Sequence, residues 1–124
     1  MDYKPITEVE IWGMLNTVSS QMTSAQERLW EAIRVLPEKW QQHPYGDHSG
    51  GFWVLGIIGR RVIWYNDIED GFNISHYSRY GVIDEYLCNQ DKLEWAIQRI
   101  VNSIQVGYEI GPSMGPPQPG EFSR

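Results

Sequence analysis

The chain has a single cysteine, Cys88, so it cannot close an internal disulfide, which fits a reducing, cytoplasmic setting. No apolar run approaches the roughly 18 residues that a membrane span needs, and no basic-then-apolar leader opens the chain, so neither a membrane span nor a secretory signal is expected. Without secretion, the glycosylation sequon at Asn73-Ile74-Ser75 carries no meaning. Positive charge is also scarce: 10 Lys and Arg stand against 16 Asp and Glu, a formal net charge of −6. Arg60-Arg61 is the densest basic pair. That scarcity argues against nucleic-acid binding, which depends on clustered cations that neutralise phosphate. A phosphate loop, a dinucleotide fingerprint and a G-x-S-x-G elbow are all missing from the sequence. No internal repeat is present.

What the chain has is aromatic side chains: six Trp, seven Tyr and three Phe in 124 residues. That length implies one domain with a real core. The clearest organising stretch is 51–86. Phe52 to Ile58 and Arg61 to Tyr65 are two apolar runs joined by Gly59-Arg60. A glycine followed by any residue suits a two-residue type II′ turn, because glycine reaches positive φ without a Cβ clash. The implied register pairs Ile58 with Arg61, Ile57 with Val62, Gly56 with Ile63, Leu55 with Trp64 and Val54 with Tyr65. Both faces are then apolar, so both should be covered, and Gly56 leaves a gap for a neighbouring ring. Further strands are expected over 72–77 and 82–87. Every connection is too short for a parallel crossover.

Helices are expected on either side of this sheet. Thr7 with Glu10 forms a capping box, followed by Ile11, Leu15, Val18 and Met22 on one face. Ser24 with Glu27 reads as a second box, followed by Leu29, Trp30, Ile33 and Leu36, with Pro37 as the stop. A break near 21–23 separates two helices; one bent helix is the alternative. Asp91 with Glu94 reads as a third box, with Leu93, Ile97, Ile100 and Ile104 on one face of a helix that ends near Gly107, and with Trp95 off that stripe. The expected fold is therefore α+β: two N-terminal helices, a four-stranded antiparallel meander sheet, and a C-terminal amphipathic helix packed on the sheet, in one domain over 1–110. Residues 111–124 form a Pro/Gly-rich tail whose P-x-x-P core at Pro116 could dock as a polyproline ligand.

Candidate functional residues fall into two sets. The aromatics and carboxylates Trp53, Trp64, Tyr65, Asp67, Glu69, Asp70, Tyr77 and Tyr80 would make a binding edge for a protein partner with a basic, planar group. This is an adaptor or immunity-type role, or self-association through a sheet edge, with no cofactor. The alternative is a small-molecule or metal site, possibly enzymatic, built from His43, Asp47 and His48 in the 43–48 loop together with Asp67, Glu69 and Asp70. The calcium-loop pattern fails there, because Ile68 and Tyr77 occupy ligand positions. Cys88 lacks the local signature of a nucleophile.

Overall fold

A computed structural model describes residues 3–107; the tail expected over 111–124 lies outside the described residues. The described chain contains α1 (Glu8–Val18), a 3-10 turn (Ser19–Gln21), α2 (Ser24–Ile33), β1 (Arg34–Trp40), β2 (Phe52–Ile58), β3 (Arg61–Asn66), β4 (Gly71–His76) and α3 (Leu93–Val106). The fold is α+β. Its four strands form one antiparallel sheet in the order β1-β2-β3-β4.

The first helix starts as the sequence requires. The Thr7 hydroxyl accepts from the Glu10 amide, and the Glu10 carboxylate accepts from the Thr7 amide. The second box sits one residue earlier than expected. Thr23, not Ser24, is the N-cap, and it exchanges the same pair of bonds with Gln26. Either residue could cap, and the 3-10 turn between the two helices places Thr23 in the extended conformation that a cap requires.

The third element corrects the sequence reading. The apolar stripe suggested that α2 runs on to Leu36, but it stops at Ile33 and β1 begins at once. A proline cannot follow four residues after a helical carbonyl, because its ring collides with that carbonyl; Pro37 stands four residues after Ile33. The chain turns extended at Arg34, and Leu36 is left 77% exposed. Between Arg34, opposite Gly56, and Glu38, opposite Val54, residues 35–37 bulge out, so Pro37 sits on an edge strand where no ladder bond is asked of it.

The β2–β3 hairpin turns at Gly59, with φ of 59°, and pairs Ile58 with Arg61, Ile57 with Val62 and Gly56 with Ile63 as expected. Beyond that, the register slips by one at Leu55, so that Val54 faces Trp64 and Trp53 faces Tyr65. The bulge turns Leu55 to the same face as Ile63 and sends Phe52 and Val54 to the other. Trp30 of α2 closes over Gly56, where an added Cβ would lie 3.2 Å from the indole. One face of the sheet is packed under the helices through Ile11, Leu15, Trp30, Ile33, Ile97 and Ile100, each removed from water to the extent of roughly 1.5–3 kcal/mol.

Residues 82–87 do not form a fourth ladder. They belong to an extended strap, 77–92, that covers the opposite face. Gln41 donates to Gly81 O and accepts from Ile83 N, which draws the strap across to the β1 side. Ile83 and Leu87 then enter a second core with Trp40, Phe52, Val54, Val62 and Trp64. A strap crossing a sheet face has no strand to pair with, so sheet side chains satisfy its backbone. Ser75 Oγ donates to Glu85 O at 2.9 Å, Asn66 Nδ2 to Leu87 O at 3.0 Å, and Asn73 Nδ2 to Asn89 O at 3.1 Å. The strap then meets the β4 edge, where Phe72 N donates to Asp91 O. It passes so close to Gly71 that a Cβ there would lie 2.1 Å from Asn89 O.

The last helix also begins differently from the expected box: Lys92 is its N-cap and supplies no side-chain bond. Its inner face is Leu93, Ala96, Ile97, Ile100 and Ser103; Ile104 is 57% exposed and Trp95 53% exposed.

Candidate functional site

Three segments remote in sequence meet at the end of the sheet where β2 starts and β3 finishes. They are the N-terminal residues 3–6, the 41–51 loop and the 66–70 turn. The turn is built by Asn66, whose Oδ1 accepts from Ile68 N and Glu69 N while its Nδ2 reaches the strap. The turn closes at Asp70, φ 56°, a left-handed conformation that aspartate tolerates. Asp67 is thereby aimed back at the N-terminal segment. It accepts from Tyr3 Oη at 2.8 Å and from Ile6 N at 2.7 Å. Trp53 completes this anchor by donating Nε1 to Ile6 O at 3.1 Å.

The 41–51 loop is held down by Lys39, whose Nζ lies over the Trp53 ring and donates to Ser49 O at 2.8 Å. Within the loop, His43 Nδ1 and Asp47 Oδ2 are 2.6 Å apart, both exposed. His48 lies beside Tyr3, with ring centroids 6.2 Å apart. Tyr45 stacks on Tyr86 of the strap at 3.9 Å and 19° between planes.

The electrostatics of this end follow from carboxylates placed beside phenols. Burial first, then the charges of Asp70 and Asp67, push the Tyr65 phenol up to about 12. Burial and the Asp67 hydrogen bond raise Tyr3 further still. Burial raises Tyr86, opposed by its hydrogen bond to Asn66. All three phenols therefore stay protonated at neutral pH, and Tyr3 and Tyr65 act as donors. The donors on Asp67 are a phenol and a backbone amide, and neither carries charge.

Of the residues singled out from sequence, Trp53, Tyr65, Asp67, Glu69 and Asp70 are brought together here. Trp64 is not: it is wholly buried on the strap side, where its Nε1 donates to Ser75 Oγ at 2.9 Å. Tyr77 and Tyr80 flank Trp40 on the β1 side instead. His76, at the end of β4, lies 3.3 Å from Glu85 of the strap. The residues that sequence reasoning left out of the set are Tyr3, Tyr45, Tyr86 and Asn66. Tyr3 meets Asp67 across 64 positions and Asn66 reaches Leu87 across 21, and Tyr45 stacks on the distant Tyr86, so no short window of sequence joins them.

Among the described residues, no three His, Cys, Asp or Glu side chains gather as metal ligands. An open, mainly apolar depression of about 310 Å³ lies elsewhere, between the end of α1 and the start of α3; it is lined by Met14, Val18, Phe72 and Leu93. No described helix is long and apolar enough to cross a membrane. The chain matches no family model, and neither a curated protein nor a solved structure is detectably similar to it.

Proposed function

We propose that this is a non-catalytic domain that binds a basic segment of a protein partner, in an adaptor or immunity-type role, through the end of the sheet formed by the 41–51 loop and the 66–70 turn. The observation that carries the reading is the way Tyr3, Tyr65 and Trp53 tether Asp67, Asp70 and the N-terminal segment into one surface. Tyr45, 48% exposed, and Ile68, 40% exposed, add apolar contact beside those anions. Fixed tyrosines next to carboxylates suit a cationic partner, because ring contact needs little further ordering and the charge steers approach. A net charge of −6 acts in the same direction.

A photo-crosslinking residue placed at Tyr45 or Ile68 in cells tests this. One discrete adduct at both positions, lost when Asp67 and Asp70 are changed to Asn, is the expected result. Adducts no different from those at Val9, on the outside of α1, would end the proposal.

A small-molecule site is the competing reading, and one contact favours it: Tyr3 links His48 of the loop to Asp67 of the turn. Native mass spectrometry separates the two, since a bound metabolite or ion lost on Asp67→Asn would select the small-molecule site.

A further inference from the structure

On the β1 side, Glu38 and Tyr80 meet across 42 positions of sequence: Tyr80 Oη donates to Glu38 Oε1 at 2.6 Å. The same oxygen accepts from Trp40 Nε1 at 2.9 Å. The Tyr80 ring packs on Trp40 at 4.7 Å, and Tyr77 meets Trp40 edge-on at 5.1 Å. Tyr80 is nonetheless 64% exposed. We propose that this corner receives one arginine side chain of a peptide or protein partner, its guanidinium stacked on the outer face of Tyr80 and hydrogen-bonded to the Glu38 carboxylate.

Three features carry the assignment. First, the ring is exposed but already ordered, fastened at its hydroxyl and at its inner face, so stacking on it costs little side-chain entropy. Second, Glu38 is an exposed anion whose donors are both neutral, and the Tyr80 bond, then the Trp40 bond, hold its carboxyl below the usual range. Both of those bonds fall on the one oxygen, Oε1, so the second oxygen takes neither. Third, the chain places cations over Trp30, Trp53 and Trp95, each at 5.3 Å, whereas none of those contacts uses Tyr80. A planar guanidinium matches a ring and a carboxylate together; a lysine ammonium, compact and strongly hydrated, matches them less well.

The corner is made of different residues from the loop end, and either can fail without the other. The test is a titration of isotope-labelled protein with the blocked peptide acetyl-Gly-Arg-Gly-amide, followed by amide and indole resonances. Saturable shifts of the Trp40 indole and of Tyr80 are expected, with affinity in the roughly millimolar range and about fivefold loss in Glu38→Gln. The lysine peptide should bind more weakly, and the Asp67→Asn variant should bind the arginine peptide normally. Glu38 is exposed, so its variant should fold; a matching melting curve confirms it. No saturable shift, an equal response to the norleucine peptide, or unchanged binding by Glu38→Gln would each overturn the proposal.

Discussion

Asn73 grips Asn89 at both of its backbone groups: Nδ2 donates to the Asn89 carbonyl at 3.1 Å, and Oδ1 accepts from the Asn89 amide at 2.8 Å. A buried asparagine side chain thus does for the strap what a neighbouring strand would do. Asn73→Ala removes both of these buried bonds from the strap, and should cost about 2–4 kcal/mol in urea unfolding. Hydrogen exchange of the 83–89 amides should rise well before that of β2 and β3. A cost below about 0.5 kcal/mol would show that other contacts hold the strap.

The two wholly buried indoles at Trp30 and Trp64 should respond differently to the same change. Trp30 Nε1 has no hydrogen-bond partner among the described residues, whereas Trp64 Nε1 donates to Ser75 Oγ, which in turn donates to Glu85 O. Trp30→Phe loses volume but removes an unpartnered donor; Trp64→Phe loses volume and a bond. The second should be more destabilising by about 1 kcal/mol, measured as the difference in unfolding free energy.

Helix α2 gives a test of one-residue precision. Thr23→Ala should cost about 1 kcal/mol, because the Gln26 amide loses its acceptor, while Ser24→Ala should be nearly neutral. Thermal denaturation of the two variants side by side decides it.

Alkaline pH should weaken the fold through Tyr65. Its phenol is raised in the folded state to about 12, above the ordinary value near 10 that it regains on unfolding. The folded state therefore binds the proton more tightly. The associated stability is complete below the unfolded value and is lost as pH climbs from there through the folded one. Ultraviolet titration should show Tyr65 ionising late, and Asp70→Asn should bring that ionisation to lower pH. A titration unchanged in Asp70→Asn would contradict the part assigned to Asp70, beside that of burial.

Short-range signals in the sequence determined a good part of this protein. The Thr7–Glu10 box, the Gly59 turn with its first three cross-strand pairs, the break between two helices and the α+β class were all readable from local spacing, because each depends on residues within a few positions. The apolar character of 52–65 on both sides likewise announced a sheet covered above and below. Tertiary contact decided the rest. Residues 34–36 read as the end of a helix, and the clash that Pro37 would make with Ile33, together with the open edge beside β2, makes 34–40 a strand. Residues 82–87 read as a strand, yet Asn66 and Ser75 take the Leu87 and Glu85 carbonyls across the face of the sheet. The slip at Leu55, which chooses the core each of Phe52, Trp53 and Val54 joins, is set by what packs on either face. The tyrosine–carboxylate end is the same kind of outcome: Tyr3, Tyr45, Asp67 and Tyr86 become neighbours only after the chain has folded, and no window of sequence contains them.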